Sequence, residues 1–129
     1  MLTVIHAPGV DDLKDLIHDA VGPDARVRSW DLLESAIAAP FLTFDGVYLH
    51  QDLFTMGAVL LRSLSENQAL IDGNKRLAWS AAVFFFRANG YAINASVDDV
   101  VKLMLGIASH TISVPLIAEF LRANRRSST

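Results

Sequence analysis

Nine of the ten residues from Leu77 to Phe86 (Leu-Ala-Trp-Ser-Ala-Ala-Val-Phe-Phe-Phe) are apolar, and no other run constrains the fold as much. A surface helix hides one stripe of side chains, so a helix that is apolar on every side has to be enclosed by the rest of the protein. A bilayer does not supply that enclosure, because a span takes about 20 consecutive apolar residues. The run therefore predicts a buried central helix, with Trp79, Val83, Phe84, Phe85 and Phe86 as packing residues. The chain has 129 residues, 52% of them hydrophobic, enough to fill one compact core but too short for a second. We expect a single domain over residues 1–129.

Helical periodicity recurs on both sides of that run. Asp11 to Ala20 places Leu13, Leu16 and Ile17 on one side and stops at the breaker Gly22-Pro23. Trp30 to Ala38 reads as a second helix. Gln51 to Ser65 carries Leu53, Met56, Leu60 and Leu64 at spacings of three and four, a stripe that faces a core. Ser96 with Asp99 has the form of a capping box opening a helix through Ile107, and Ser113 with Pro115 opens another that runs to about Ala123. The expected fold is all-α, a compact bundle of about six helices around the buried central one. Only Phe41 to Leu49 resists a helical reading. There Thr43, Phe44, Val47 and Tyr48 favour extended backbone around the turn Asp45-Gly46, which predicts a short β-hairpin.

Immediately ahead of the central helix stands Asp72-Gly73-Asn74-Lys75-Arg76. If Gly73 or Asn74 caps that helix, the free N–H groups of its first turn and its dipole meet whatever lies above Gly73, and an anion is favoured there. Gly73 permits a tight turn and close approach of a ligand, while Lys75 and Arg76 add charged donors. Asp72 would repel the same anion unless a divalent cation lies between them. Mg²⁺, typically held by one or two carboxylates and completed by phosphate oxygens, suits that arrangement. The same residues also read as an ordinary turn and cap with a solvated basic edge, and spacing alone does not decide between the two.

The chain excludes several classes. With no cysteine it has neither disulfides nor thiol chemistry. The N-terminus shows no basic region followed by a long apolar stretch, so we expect a cytoplasmic protein without membrane contact. A net charge of −3 gives no general attraction to nucleic acid, and the basic stretch Arg122 to Arg126 is too brief to reverse that.

The loop and the opening of the central helix resemble the Fic/Doc superfamily, whose pattern is His-x-Phe-x-(Asp/Glu)-(Gly/Ala)-Asn-(Gly/Lys)-Arg. Asp72-Gly73-Asn74-Lys75-Arg76 fits its second half, and Lys75 resembles the Doc branch, since the Fic branch has Gly there. Leu32-Leu33-Glu34-Ser35-Ala36 with Pro40 and Phe41 is similar to the helix and turn before the family's flap. Ala88-Asn89-Gly90-Tyr91 is similar to the end of its central helix. The likeness spans about Val27 to Tyr91.

By this resemblance, Asp72 holds Mg²⁺ and Gly73, Asn74, Lys75 and Arg76 hold the phosphates of ATP. The hairpin becomes a flap that pairs with an extended target segment. Doc-like proteins are toxins of toxin–antitoxin pairs that phosphorylate a threonine of elongation factor Tu, and a Phd-like antitoxin folds onto them. One position departs. Where the family has its general-base histidine this chain has Gln68, which does not titrate near neutral pH. Loss of a general base costs typically about 10²- to 10⁴-fold in rate, so binding should outlast turnover. None of His6, His18, His50 and His110 lies in the motif, and Leu70 replaces the family's Phe with another apolar anchor. Two other readings stand beside the kinase: a Fic-type AMP transferase, disfavoured by the bulk and charge of Lys75, and a non-catalytic module that binds nucleotide or protein.

Overall fold

The computed structural model describes residues 4–127. In chain order, α1 (Val10–Leu16) runs into a wider coil at Ile17–Val21, and α2 (Trp30–Ala38) tightens into a 3₁₀ turn at Ala39–Phe41. Strands β1 (Thr43–Phe44) and β2 (Val47–Tyr48) lead to α3 (Leu53–Glu66) and α4 (Asn74–Ala88). The remainder is β3 (Tyr91–Ile93), α5 (Val97–Ala108), α6 (Val114–Ala123) and β4 (Arg125–Ser127). The six α-helices among the described residues give the expected all-α bundle, and none of them is long and apolar enough to cross a membrane.

Helix α4 lies at the centre. Leu77, Ala78, Ala81, Ala82, Phe85 and Phe86 are buried along it, in one hydrophobic cluster with Leu13, Leu33, Leu60, Leu61 and Leu64. Helix α3 comes so close that a Cβ on Gly57 would sit 2.2 Å from the Phe86 ring, which makes this crossing a place where only hydrogen fits. The enclosure is incomplete, however. Trp79, Val83 and Phe84 are only half-buried, so α4 keeps one side partly open where a fully surrounded helix was expected.

Three helix starts are closed by side chains. Ser29 Oγ accepts from Leu32 N at 3.1 Å, Ser96 Oγ from Asp99 N at 3.1 Å, and Asp52 Oδ1 from Phe54 N and Thr55 N at 2.9 and 3.0 Å. Each satisfies N–H groups that have no partner within the helix. Asp52 also pairs with Arg122 Nη2 at 3.0 Å, tying the start of α3 to the end of α6.

The extended structure is more than the single hairpin. β1 and β2 pair around Asp45-Gly46 as expected, with Leu49 N donating to Leu42 O at 2.9 Å beside them. A second antiparallel pair joins β3 to β4, with Tyr91 opposite Ser127 and Ile93 opposite Arg125. Phe41 to Leu49 is therefore not the only non-helical element, and the basic stretch after Arg122 is partly a paired strand. Gly90, at φ +94°, releases the chain from α4 into β3.

Candidate active site

The site is built on the turn that opens α4. Gly73 precedes the helix at φ +91°, in the left-handed region, and a Cβ there would meet Val21 Cγ1 at 2.4 Å. Both the conformation and the contact require glycine. No side chain among the described residues caps α4, so the N–H groups of its first turn remain open, unlike those of α2, α3 and α5.

Asn74 explains how the loop keeps that turn open. The residue is only 8% exposed and its side chain turns back on the loop: Oδ1 accepts from Leu70 N at 2.9 Å, and Nδ2 donates to Leu70 O at 3.0 Å and to Gln68 Oε1 at 3.4 Å. The amide thus pairs both backbone groups of a buried residue, and what Asn74 retains for a ligand is its backbone N–H. Leu70 itself is fully buried, as an apolar anchor should be.

Asp72, Gly73, Lys75 and Arg76 line one cleft of about 390 Å³, with Gln68 and Asn74 also on its wall. Asp72 takes the N–H of Gly73 at 2.9 Å, and neither Lys75 nor Arg76 has an ion pair among the described residues. Two cations without carboxylate partners beside an open helix start suit an anionic ligand. Asp72 brings one carboxylate, and the described residues hold no cluster of three or more metal-ligating side chains. That donor set fits Mg²⁺ arriving with a nucleotide, since this ion keeps waters and takes phosphate oxygens, and does not fit a protein-only metal cage.

Arg76 borders two further hollows. One, of about 330 Å³, continues past Asp72 over Gly22, Pro23 and Arg26. The other, of about 460 Å³, is an apolar groove between α4 and α5 floored by Trp79, Val100 and Met104, with Lys75 and Arg76 on its rim.

Gln68 stands at φ +53°, a left-handed conformation uncommon for a residue with a side chain. Its Nε2 donates to Ser65 O at 2.8 Å, packing the side chain against the end of α3. The segment Arg26 to Ser29 braces the loop from the opposite side. Ile71 N donates to Arg26 O at 3.0 Å, and Arg28 N and Ser29 N donate to Ala69 O at 2.7 and 3.2 Å. Arg28 Nη2 reaches Gln68 O, and Leu70 O at 3.4 Å. Sequence reasoning passed over Arg28, because a lone arginine ahead of a helix carries no local pattern; its partners lie 40 and 42 residues away. The four histidines do not line the cleft, and His6 borders a separate cavity at the far end of α4.

A helical bundle whose central helix opens on this loop is the class of domain the motif led us to expect. The Fic/DOC family matches residues 4–86, and the chain belongs to that family. Within the family it falls in the Doc branch. A protein named Toxin Doc from Mycolicibacterium smegmatis (strain ATCC 700084 / mc(2)155) is 41% identical over 101 residues, covering 77% of this chain and 78% of that protein. Protein kinase doc of Escherichia phage P1 is 35% identical over 71 residues, covering 55% of this chain and 56% of the phage protein.

Proposed function

We propose that this chain is a Doc-type toxin, a cytoplasmic protein kinase dependent on ATP and Mg²⁺ whose target is a threonine hydroxyl of a translation factor such as elongation factor Tu. The observation that carries the reading is the single cleft in which Asp72, Lys75, Arg76 and the uncapped start of α4 face the same space. When bound, Mg·ATP supplies the phosphoryl group and the ion that neutralises its charge. Asp72 holds the metal, Lys75 and Arg76 hold phosphate oxygens, and the backbone N–H groups around Gly73 and Asn74 complete the cradle.

The hairpin holds the other substrate. Phe44, Val47 and Leu49 are exposed on it, and a two-stranded sheet leaves edges on which an extended segment adds main-chain hydrogen bonds. Gln68 occupies the position from which a base would take the hydroxyl proton. Its amide has hydrogen-bonding capacity but no titratable group near neutral pH, so the chain positions substrates and turns over slowly.

Regulation comes from a Phd-like antitoxin. The apolar groove between α4 and α5 is open, with Leu105 56% and Val101 50% exposed along it. An amphipathic antitoxin helix laid there would bring an acidic side chain to Lys75 and Arg76 and compete with phosphate.

The test is Gln68→His. It should raise phosphotransfer by about 10²- to 10⁴-fold, read as a gain of one phosphate on the target by mass spectrometry. Asp72→Ala should abolish metal-dependent ATP binding in calorimetry while the unaltered chain binds. Equal rates from the Gln and His forms would refute the general-base account, and a gain of one AMP would move the chain to the nucleotidyl-transfer reading.

A further inference from the structure

Gln68 presents a problem that the rest of the loop does not solve. A residue with a side chain in the left-handed region is disfavoured by roughly 1–2 kcal/mol, so its neighbours must hold it there. Its own side chain is anchored to Ser65 O and lies 3.4 Å from Asn74 Nδ2, but those contacts fix the amide and do not engage the Gln68 carbonyl. The Gln68 carbonyl has one charged partner, the guanidinium of Arg28, which also reaches Leu70 O at 3.4 Å. Arg28 makes no ion pair among the described residues and does not line the cleft. Its charge is committed to backbone carbonyls on either side of Ala69, whose own carbonyl accepts from Arg28 N and Ser29 N.

We propose that Arg28 is a positioning residue: by holding the Gln68 carbonyl it fixes the left-handed peptide and so the direction from which the side chain at the base position enters the cleft. Charge-assisted bonds to carbonyls are about twice as strong as neutral ones, and here one guanidinium reaches the carbonyls of Gln68 and Leu70, the residues on either side of Ala69. The alternative is that Arg28 merely helps α2 dock on the loop. That role already belongs to three backbone bonds of the same segment, at 2.7, 3.0 and 3.2 Å, which survive loss of the side chain. The inference rests on the kinase reading only for its rate measurement.

Arg28→Met and Arg28→Lys would be compared in the Gln68→His background. We expect Arg28→Met to lower kcat for phosphotransfer about tenfold or more while KM for Mg·ATP moves less than about twofold, with part of the loss recovered by Arg28→Lys. An unchanged kcat, or a parallel loss of kcat, ATP affinity and thermal stability, would overturn the proposal. If Gln68→His alone yields no transfer, the kinase reading fails and amide exchange on the otherwise unaltered chain decides the clamp. Arg28→Met should then speed exchange at Leu70 and Ile71 about tenfold and leave Leu60 and Leu61 of α3 unchanged. Uniform acceleration, or none, counts against it.

Discussion

At each end of α4 an asparagine pairs with the N–H and C=O of one other residue, yet the two closures have opposite results. At the start, Asn74 bonds Leu70, four positions back, at 2.9 and 3.0 Å in a buried setting. At the end, Asn89 bonds His6, 83 positions away, at 2.9 Å in both directions and also donates to Phe85 O at 2.7 Å. The first closure is local and leaves the helix N–H groups, Lys75 and Arg76 uncommitted. The second draws a distant segment onto a packed aromatic group. Phe54 lies 5.3 Å from Phe86 and 5.5 Å from Tyr91, with Arg122 5.3 Å above its ring. One side-chain chemistry thus serves to hold a loop away from its own helix start at one end, and to fasten the chain at the other.

The sharpest way to break the comparison is to remove each amide in turn. Asn74→Ala strands the N–H of buried Leu70, leaves its C=O only the 3.4 Å contact with Arg28, and should cost about 2–4 kcal/mol in urea unfolding, with ATP binding lost. Asn89→Ala frees groups that water can reach, so about 1–2 kcal/mol is expected and ATP binding should persist. Similar stability losses accompanied by similar binding losses would show that the two ends are not separate in function.

Smaller effects sharpen the picture. Ser65, whose carbonyl receives the Gln68 amide, has a buried hydroxyl with no partner among the described residues. Ser65→Ala should be neutral or stabilising by up to about 1 kcal/mol in the same assay, since an unpaired buried hydroxyl costs free energy. The smallest effect is expected at Asp52. Burial pushes its pKa up, but the Thr55 hydroxyl, the Thr55 and Phe54 N–H groups and Arg122 outweigh that and hold it below the ordinary value. A depressed folded pKa gives stability that is present above the unfolded value of about 4 and is lost as pH falls through the folded one. Asp52→Asn keeps a capping side chain and should lower Tm slightly at neutral pH, with the gap closing in acid and in high salt.

Elements carried by local pattern were legible in the sequence. Trp30–Ala38 is the helix expected over those residues, and the hairpin turns at Asp45-Gly46. What escaped depends on partners far away. Arg125–Ser127 has no alternating apolar face and is a strand only because Tyr91–Ile93 lies beside it. The grouping of Asp72, Gly73, Lys75 and Arg76 around one cleft follows from their adjacency. The inward turn of the Asn74 amide does not, because an asparagine at that place could satisfy either a ligand or its own loop. Arg28 was hidden for the same reason as β4.

The contact between Val21 and Gly73 has a consequence for exchanging parts among relatives. Val21 closes the five-residue coil Ile17–Val21, whose wider winding is sealed by Gly22 N donating to Ile17 O at 3.0 Å. Adding or deleting one residue in that coil rotates the valine out of its notch over the glycine. A chimera therefore inherits a fitted pair only when the coil and the loop that opens α4 come from the same parent, although more than fifty positions separate them.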